Sequence, residues 1–229
     1  MIPLRQTTPH KTMPVVNRVI VGANVVMFFV QLFMGSAAEK LIETFGFIPL
    51  RLHHPELYGY TRWEVAITLV TSLFLHGGVV HLFGNMIYLW VFGDAVEDAF
   101  GHVGYFFFFI AAGVIGSVTH TIVFPGSPIA SIGASGSIAG VLGAFLVLRP
   151  NARIVTLFPL VIYWAMAEMR AALFLPVWFL MQFFNGFLAL AAARSTQEVV
   201  GIAWWAHIGG FIFGAIVAAG VRMTRRSSQ

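Results

Sequence analysis

Long unbroken apolar stretches, separated by short polar connections, make up most of this chain. Several reach the roughly 20 residues that an α-helix needs to span the hydrocarbon core of a bilayer. Only 10% of the residues are charged, against about 25% in an ordinary soluble domain. This shortage of charge excludes a water-soluble fold and a disordered chain, and the unbroken runs argue against the alternating pattern of a β-barrel. The sequence therefore predicts an all-α, polytopic membrane protein.

Six transmembrane helices are predicted from the apolar runs, near 15–36, 76–96, 103–124, 135–148, 170–193 and 202–221. Residues 37–75 mix charged and aromatic side chains, which is typical of a loop at the membrane interface with short amphipathic helices. Residues 154–167 are apolar but short for a span. We expect that segment either to enter the membrane from the cytoplasmic side and return, or to lie on that surface.

Basic residues cluster before the first predicted span and after the last: Arg5, Lys11, Arg18, Arg222, Arg225 and Arg226. The positive-inside rule places both ends in the cytoplasm, which fits an even number of spans. We therefore predict a cytoplasmic segment at 1–14, a membrane-embedded domain at 15–221 and a basic cytoplasmic tail at 222–229. The compact length and the absence of a transit peptide favour a prokaryotic plasma membrane.

In this orientation the second, fourth and sixth spans all begin on the outer side, and each beginning carries polar residues. The second span has His81 and Asn85, four residues apart and so on one helix face. The fourth begins with Gly-Ala-Ser-Gly at 133–136, and the sixth contains His207. An ionisable residue inside a span is costly, so these positions are functional candidates.

These residue types suit nucleophilic catalysis. A serine hydroxyl needs a base to take its proton, and a neutral histidine can act as that base. A glycine at 133 permits a sharp turn that places Ser135 at a helix N-terminus, where free N–H groups favour an oxyanion. His81 and Asn85 can donate hydrogen bonds to the same charge. We predict a Ser135–His207 dyad without an acidic third member.

Small residues recur at four-residue spacing in two spans, as Gly136 and Gly140 in the fourth and Gly210 and Gly214 in the sixth. This spacing lets membrane helices approach closely. We expect the fourth and sixth spans to pack directly, with Ser135 meeting His207 across the contact.

The motifs resemble those of the rhomboid intramembrane serine proteases. The matching parts are HLFGNMIYLWVFG from His81, GASG at 133–136 and AHIGGFIFG at 206–214, in the same order as in that family. The similarity covers essentially the whole chain from the first to the sixth span. It implies a rhomboid-like bundle of six transmembrane helices.

The resemblance also implies roles for individual residues. Ser135 would be the nucleophile and His207 the general base, while His81, Asn85 and the Ser135 backbone N–H would line the oxyanion hole. The substrates would be transmembrane helices that can unwind, cut near the outer membrane face, and no cofactor is implied. Residues 37–75 would form the membrane-embedded first loop, and the fifth span a substrate gate.

Two positions depart from the family pattern. Family members often carry an aromatic residue four positions after the serine, packed against the histidine, whereas this chain has Ala139. Trp204 or Trp205 is then a candidate to hold His207. The Trp-Arg pair of the family's first loop appears here reversed and shifted, as Arg62-Trp63.

Other polar and aromatic residues are expected to be structural. Ser137 competes with Ser135 but points to a different side of the helix. His76 is expected to order the first loop, and Gln182 to make an interhelical hydrogen bond. The aromatic run at 105–109 is interpreted as lipid-facing bulk.

Several alternatives and partners follow from the same residues. A transporter would predict inverted repeats, which we do not find, and a non-catalytic relative would be favoured by loss of Ser135 or His207. The sequence predicts no metal site, because the chain has no cysteine and no HExxH. It also predicts no nucleic-acid partner, because no stripe of basic residues is interleaved with aromatic residues. The predicted partners are transmembrane substrates and the bilayer, and the oligomeric state is undetermined.

Overall fold

The computed structural model describes residues 1–8, 11–159, 164–196 and 202–227. In chain order the elements are β1 (Ile2–Gln6), α1 (Val15–Met34), α2 (Ala37–Phe45), α3 (Pro49–His53), α4 (Arg62–Thr71), α5 (Val79–Phe100), α6 (His102–Val123), α7 (Ser135–Leu148), β2 (Arg153–Pro159), β3 (Trp164–Arg170), α8 (Ala171–Thr196) and α9 (Trp204–Ser227). Two short 3₁₀ turns lie at Pro55–Tyr58 and Ser72–Phe74.

The predicted six-helix membrane bundle is confirmed. Within the described residues, α1, α5, α6, α8 and α9 are long and apolar enough to cross a membrane. The sixth helix, α7, is apolar but has only 14 residues, a length of about 21 Å against a hydrocarbon core of about 30 Å. Every residue of α7 from Gly136 to Phe145 is buried. A helix that is apolar on all sides and enclosed by its neighbours does not need to reach both membrane surfaces.

The backbones of α7 and α9 are in direct contact. A Cβ atom added to Gly210 would collide with the carbonyl oxygen of Gly136, and one added to Gly214 would collide with the carbonyl oxygen of Gly140. The α-carbon of Gly140 itself faces the Ala112 methyl group of α6. The four glycines singled out in the sequence thus lie where α7 and α9 meet, and Gly140 also allows α6 to approach.

After α7 the chain forms β2 and β3, which with β1 from the N-terminal segment make a three-stranded antiparallel sheet in the order β1-β2-β3. It includes the described part of the 154–167 segment, of which 160–163 lie outside the described residues. Ile2 pairs with Leu157, and Arg153 pairs with Arg170. The N-terminal segment and this hairpin therefore lie together, at the end of the bundle opposite to Ser135.

The loop at 37–75, predicted to lie at the membrane interface, contains the short helices that its composition predicts. Arg51 is buried among them and donates hydrogen bonds to the Glu43 carbonyl oxygen at 2.5 Å and to the Tyr60 hydroxyl at 3.0 Å. Its guanidinium also lies over the Tyr60 ring, 4.5 Å from the centroid. One cation thus ties together three parts of the loop.

The last helix of that loop, α4, begins with a capping box. The Thr61 hydroxyl accepts the Glu64 N–H, and the Glu64 carboxylate accepts the Thr61 N–H, which satisfies two backbone donors at the helix start. These hydrogen bonds lower the pKa of Glu64. The reversed Arg62-Trp63 pair forms the first turn of α4, and Trp63 is 73% exposed. In this chain, therefore, the tryptophan of the pair is not packed inside the fold.

The aromatic run at 105–109 is not uniformly lipid-facing, so that interpretation is wrong for part of it. Tyr105, Phe108 and Phe109 are buried, whereas Phe106 and Phe107 are exposed. The cause is the helical period, which returns residues three and four apart to the same face of α6.

A buried carboxylate joins α1 to α5 and α6. Glu97 is fully buried and accepts the backbone N–H groups of Val16 at 2.9 Å and Asn17 at 2.7 Å. Its side chain also lies 2.5 Å from His102 Nδ1, and the Asn17 side chain accepts a hydrogen bond from the Tyr105 hydroxyl at 2.8 Å. The free N–H groups at the start of α1 thus find their acceptor on another helix.

The predicted segment boundaries differ from the secondary structure at both ends. The N-terminal segment at 1–14 contains β1, and α9 continues to Ser227, into the predicted tail at 222–229. Residues 9–10 and 228–229 lie outside the described residues. The division into segment, domain and tail stays a prediction.

Candidate active site

A cavity of about 840 Å³ lies where the N-terminal ends of α5, α7 and α9 converge beside α8. Its lining includes Ser135, His207, His81, Asn85 and Gln182. The structure thus brings the four predicted site residues to one cavity and adds a glutamine from α8. No Asp or Glu is among the described residues that line it.

Ser135 is the first residue of α7, and a turn at Gly133 places it there. Gly133 has φ +108°, a conformation that favours glycine because it has no Cβ. Its N–H donates to the Ser72 carbonyl oxygen at 2.9 Å, which ties the turn to the first loop. The first N–H groups of an α-helix have no partner within the helix. The turn therefore presents both the Ser135 hydroxyl and free backbone donors at the cavity.

Ser135 and His207 are in hydrogen-bond contact between α7 and α9. The Ser135 Oγ lies 2.8 Å from His207 Nε2. His207 Nδ1 lies 2.9 Å from the Gln182 side-chain oxygen. An amide oxygen can only accept, so the neutral ring carries its proton on Nδ1 and leaves the Nε2 lone pair for the serine hydroxyl. This is the protonation state that a general base requires.

His81 and Asn85 both lie against the turn that precedes Ser135. A Cβ added to Gly133 would stand 2.7 Å from His81 Nε2 and 3.3 Å from Asn85 Nδ2. His81 Nδ1 accepts the Gly77 N–H at 3.4 Å, so the proton of a neutral His81 ring belongs on Nε2, which faces the turn. Two side-chain donors thus border the N-terminus of α7.

His76 orients the Asn85 amide. Asn85 Nδ2 donates to His76 Nε2 at 2.9 Å, and its second hydrogen stays available to another acceptor. The His76 backbone is held in turn by Gln31, which accepts from its N–H and donates to its carbonyl, each at 3.0 Å. Burial, and after it the proximity of His81, lowers the pKa of His76 to about 4. The expected structural role of His76 therefore includes support of a site residue.

A family model described as the Rhomboid domain matches residues 63–224, which is more than half of the chain. The chain belongs to the rhomboid family. The matched range contains Ser135, His207, His81 and Asn85.

Curated proteins with similar sequences carry rhomboid names. The chain is 30% identical over 153 residues to RHOMBOID-like protein 6, mitochondrial, of Arabidopsis thaliana, covering 56% of this chain and 49% of that protein. It is 34% identical over 134 residues to Rhomboid protease GluP of Bacillus subtilis, covering 58% of this chain and 24% of that protein. It is 28% identical over 151 residues to the presenilin-associated rhomboid-like protein, mitochondrial, of Mus musculus, covering 64% and 36%. The chain thus spans half or less of the length of these relatives.

The surroundings of His207 differ from the family pattern, because the position four residues after Ser135 carries no aromatic side chain. Ala139 is fully buried in α7. Two tryptophans contact the His207 ring instead: Trp178, with centroids 6.2 Å apart, and Trp204, edge-on at 5.9 Å. Trp205, the other candidate, donates to the Gly186 carbonyl oxygen of α8 at 3.2 Å. Of the two tryptophans proposed from the sequence, Trp204 contacts the histidine.

Of the two polar residues expected to be structural, Ser137 lies outside the site, whereas Gln182 belongs to it. Ser137 is fully buried and lies against Gly113 of α6, outside the described cavity lining. Gln182 makes the interhelical hydrogen bond expected of a polar residue in a span, but its partner is His207. A buried amide in an apolar helix is the sequence signal for such a bond. Its partner depends on how α8 packs against α9, which the sequence does not specify.

Proposed function

We propose that this rhomboid is an intramembrane serine endopeptidase that cleaves transmembrane-helix substrates near the outer membrane face. The observation that carries the proposal is the 2.8 Å contact between Ser135 Oγ and His207 Nε2 at the start of α7, inside a cavity. A hydroxyl, a base with a free lone pair and free helix N–H groups are the three parts that acyl transfer requires.

In the first step the Ser135 Oγ attacks the scissile carbonyl carbon while His207 Nε2 takes the hydroxyl proton. The carbonyl oxygen becomes an oxyanion. In this proposal the Ser135 backbone N–H, the Asn85 amide and His81 Nε2–H donate hydrogen bonds to it, each such donor being worth about 3 kcal/mol at a transition state.

The intermediate then collapses. The bond from carbon to the amine nitrogen breaks, and His207 gives its proton to the leaving amine, so that an acyl group stays on Ser135. A water molecule then attacks the ester, with His207 again taking a proton, and the return of that proton to the serine oxygen releases the acid product. The cavity beside Ser135 is large enough to hold water.

The predicted substrate follows from what the site can reach. A peptide carbonyl inside a regular helix is shielded by its own hydrogen bond and side chains, so residues that break the helix near the cut are expected in the substrate.

The bilayer is the medium of this multi-pass protein. Its relatives include a protein named mitochondrial and a bacterial protease, and the prokaryotic plasma membrane, with both termini cytoplasmic, stays a prediction.

The test is cleavage of a model transmembrane substrate by the full chain purified in detergent. Wild type is compared with Ser135→Ala, His207→Ala and, as a matched control, Ser137→Ala. We expect the two site variants to lose at least about 10³-fold in rate, and the control to keep its activity. A fluorophosphonate probe should label wild type and Ser137→Ala but not Ser135→Ala. Equal cleavage by all four proteins would disprove the proposal.

A further inference from the structure

Gln182 is a buried amide in a helix that otherwise shows large apolar side chains to the lipid. Only 8% of its surface is exposed, whereas its neighbours Met181 and Phe183 are 47% and 46% exposed. An amide buried at this depth in an apolar helix needs a hydrogen-bond partner. The partner of its side-chain oxygen is the Nδ1 atom of His207, at 2.9 Å.

We propose that Gln182 is a positioning residue that holds His207 in the one tautomer able to act as a base toward Ser135. The inference rests on the proposed serine protease function and adds a third member to its machinery. Gln182 acts on the reaction only through His207, because its oxygen contacts the ring nitrogen that faces away from Ser135.

The tautomer argument follows from the donors and acceptors of the two side chains. The Gln182 oxygen is an acceptor, so the facing Nδ1 must carry the proton and Nε2 stays free to accept the Ser135 hydroxyl. With the other tautomer and the amide orientation seen here, two acceptors would face each other at Nδ1, and Nε2–H could not take the serine proton. The hydrogen bond therefore disfavours the inactive form of the ring.

The same bond becomes stronger during the reaction. When His207 takes the serine proton it becomes an imidazolium, and a hydrogen bond from a charged donor is roughly twice as strong as a neutral one. The neutral Gln182 amide stabilises the His207 imidazolium during the reaction and carries no charge of its own before it. This suits a span, where an unpaired carboxylate is costly.

Contacts on both sides of Gln182 set its register against His207. Three residues before it, the Phe179 ring packs on Phe211 with centroids 4.7 Å apart. Four residues after it, the Gly186 carbonyl accepts the Trp205 Nε1–H at 3.2 Å. Because these two contacts bracket the amide along α8 and α9, a sliding of either helix would separate Gln182 from Nδ1.

The test compares Gln182→Met, Gln182→Glu and the control Asn185→Met in the full chain. Methionine keeps an unbranched side chain but removes the carbonyl acceptor, whereas glutamate keeps an acceptor at the same reach. Asn185 is half-buried in the same helix, one turn further on. Cleavage kinetics, the fluorophosphonate labelling rate of Ser135 and the thermal midpoint are measured for each protein.

We expect Gln182→Met to lower kcat and the labelling rate by about 10- to 100-fold, with KM and the thermal midpoint close to wild type. Gln182→Glu should recover most of the rate, and Asn185→Met should match wild type. If wild type cleaves in a Ser135-dependent way and Gln182→Met does so equally fast, the positioning role is wrong and the protease proposal stands. Cleavage that does not depend on Ser135 would remove both.

A merely structural hydrogen bond would give a different pattern. Gln182→Met would then lose thermal stability while the folded fraction kept the wild-type kcat, which would overturn the proposal. Where Gln182→Met does not fold, nitrogen-15 NMR of wild type decides. A His207 proton on Nδ1 supports the inference, and one on Nε2 overturns it.

Discussion

Gly210 of α9 packs its α-carbon against the carbonyl group of Gly136 in α7, next to Ser135 and three residues from His207. A Cβ atom at Gly210 has no room at this contact. This close contact fixes the separation of α7 and α9. Because Ser135 and His207 lie on these two helices, it also sets the 2.8 Å distance between Ser135 Oγ and His207 Nε2.

Substitution of Gly210 should therefore separate the dyad. We expect Gly210→Ala to reduce cleavage strongly, and Gly210→Leu to abolish it while some protein still inserts into the membrane, because a side chain there pushes α9 away from α7. Gly220→Ala is the matched control, since Gly220 lies in the same helix with no atom within 4 Å of an added Cβ. Full activity of Gly210→Leu in a cleavage assay would show that the α7–α9 contact does not position the dyad.

The turn at Gly133 should tolerate no side chain. Gly133→Ala would force an L-residue into φ +108° and bring its Cβ to 2.7 Å from His81 Nε2. We expect cleavage to fall at least about 100-fold, as for loss of one oxyanion donor. Gly126→Ala in the same loop is the comparison, because nothing lies within 4 Å of its added Cβ. Comparable rates for the two variants would contradict the assigned geometry.

The side-chain donors beside Ser135 are expected to act on the transition state. Asn85→Ala and His81→Ala should each lower kcat by about 10²- to 10³-fold with little change in KM, because an oxyanion exists only after attack has begun. Steady-state kinetics with a transmembrane substrate would measure this. Asn185→Ala removes an amide from another span and should leave kcat unchanged. An effect of Asn85→Ala confined to KM would indicate a role in substrate binding instead.

The buried His76 should make the fold sensitive to acid. Its pKa is about 4 in the fold and about 6.5 in an unfolded chain, so the unfolded state binds the proton first as the pH falls. This contribution to stability is complete above pH 6.5 and is lost progressively between about pH 6.5 and 4. Thermal midpoints across this range should fall less in His76→Gln than in wild type. The exposed His53 supplies a control, and His53→Gln should follow the wild-type curve.

Glu97 lies far from the candidate active site, and its loss should lower the stability of the fold. Glu97→Ala would leave the buried N–H groups of Val16 and Asn17 without their acceptor, and we expect a loss of about 2–5 kcal/mol. Glu39→Ala, on the exposed surface of α2, should change stability by less than about 0.5 kcal/mol. Thermal or denaturant unfolding in detergent measures both. Equal stabilities would mean that the start of α1 is capped by another group.

The membrane class and most of the helices could be predicted because their signals are local. An apolar run of about 20 residues is sufficient for a spanning helix whatever lies around it. The three-stranded sheet could not be predicted in this way, since β1 and β2 pair Ile2 with Leu157, two residues far apart in the chain. The prediction of lipid contact for the aromatic run of α6 is wrong in part for a related reason. Its composition suggested contact with lipid, whereas the helical period turns Tyr105 and Phe109 inward.

The sequence by itself determined the membrane class, the family motifs and the residue types at the candidate site, because hydropathy and motif spacing depend only on order along the chain. Tertiary structure alone decided that Gln182 reaches His207, that His76 holds Asn85, and that Trp178 and Trp204 flank the histidine where Ala139 offers no ring. The contacts of His207 with Gln182 and Trp178 join α9 to α8, a different helix. Their distances are set by how closely the glycine faces allow the helices to pack, and that quantity is a property of the assembled bundle.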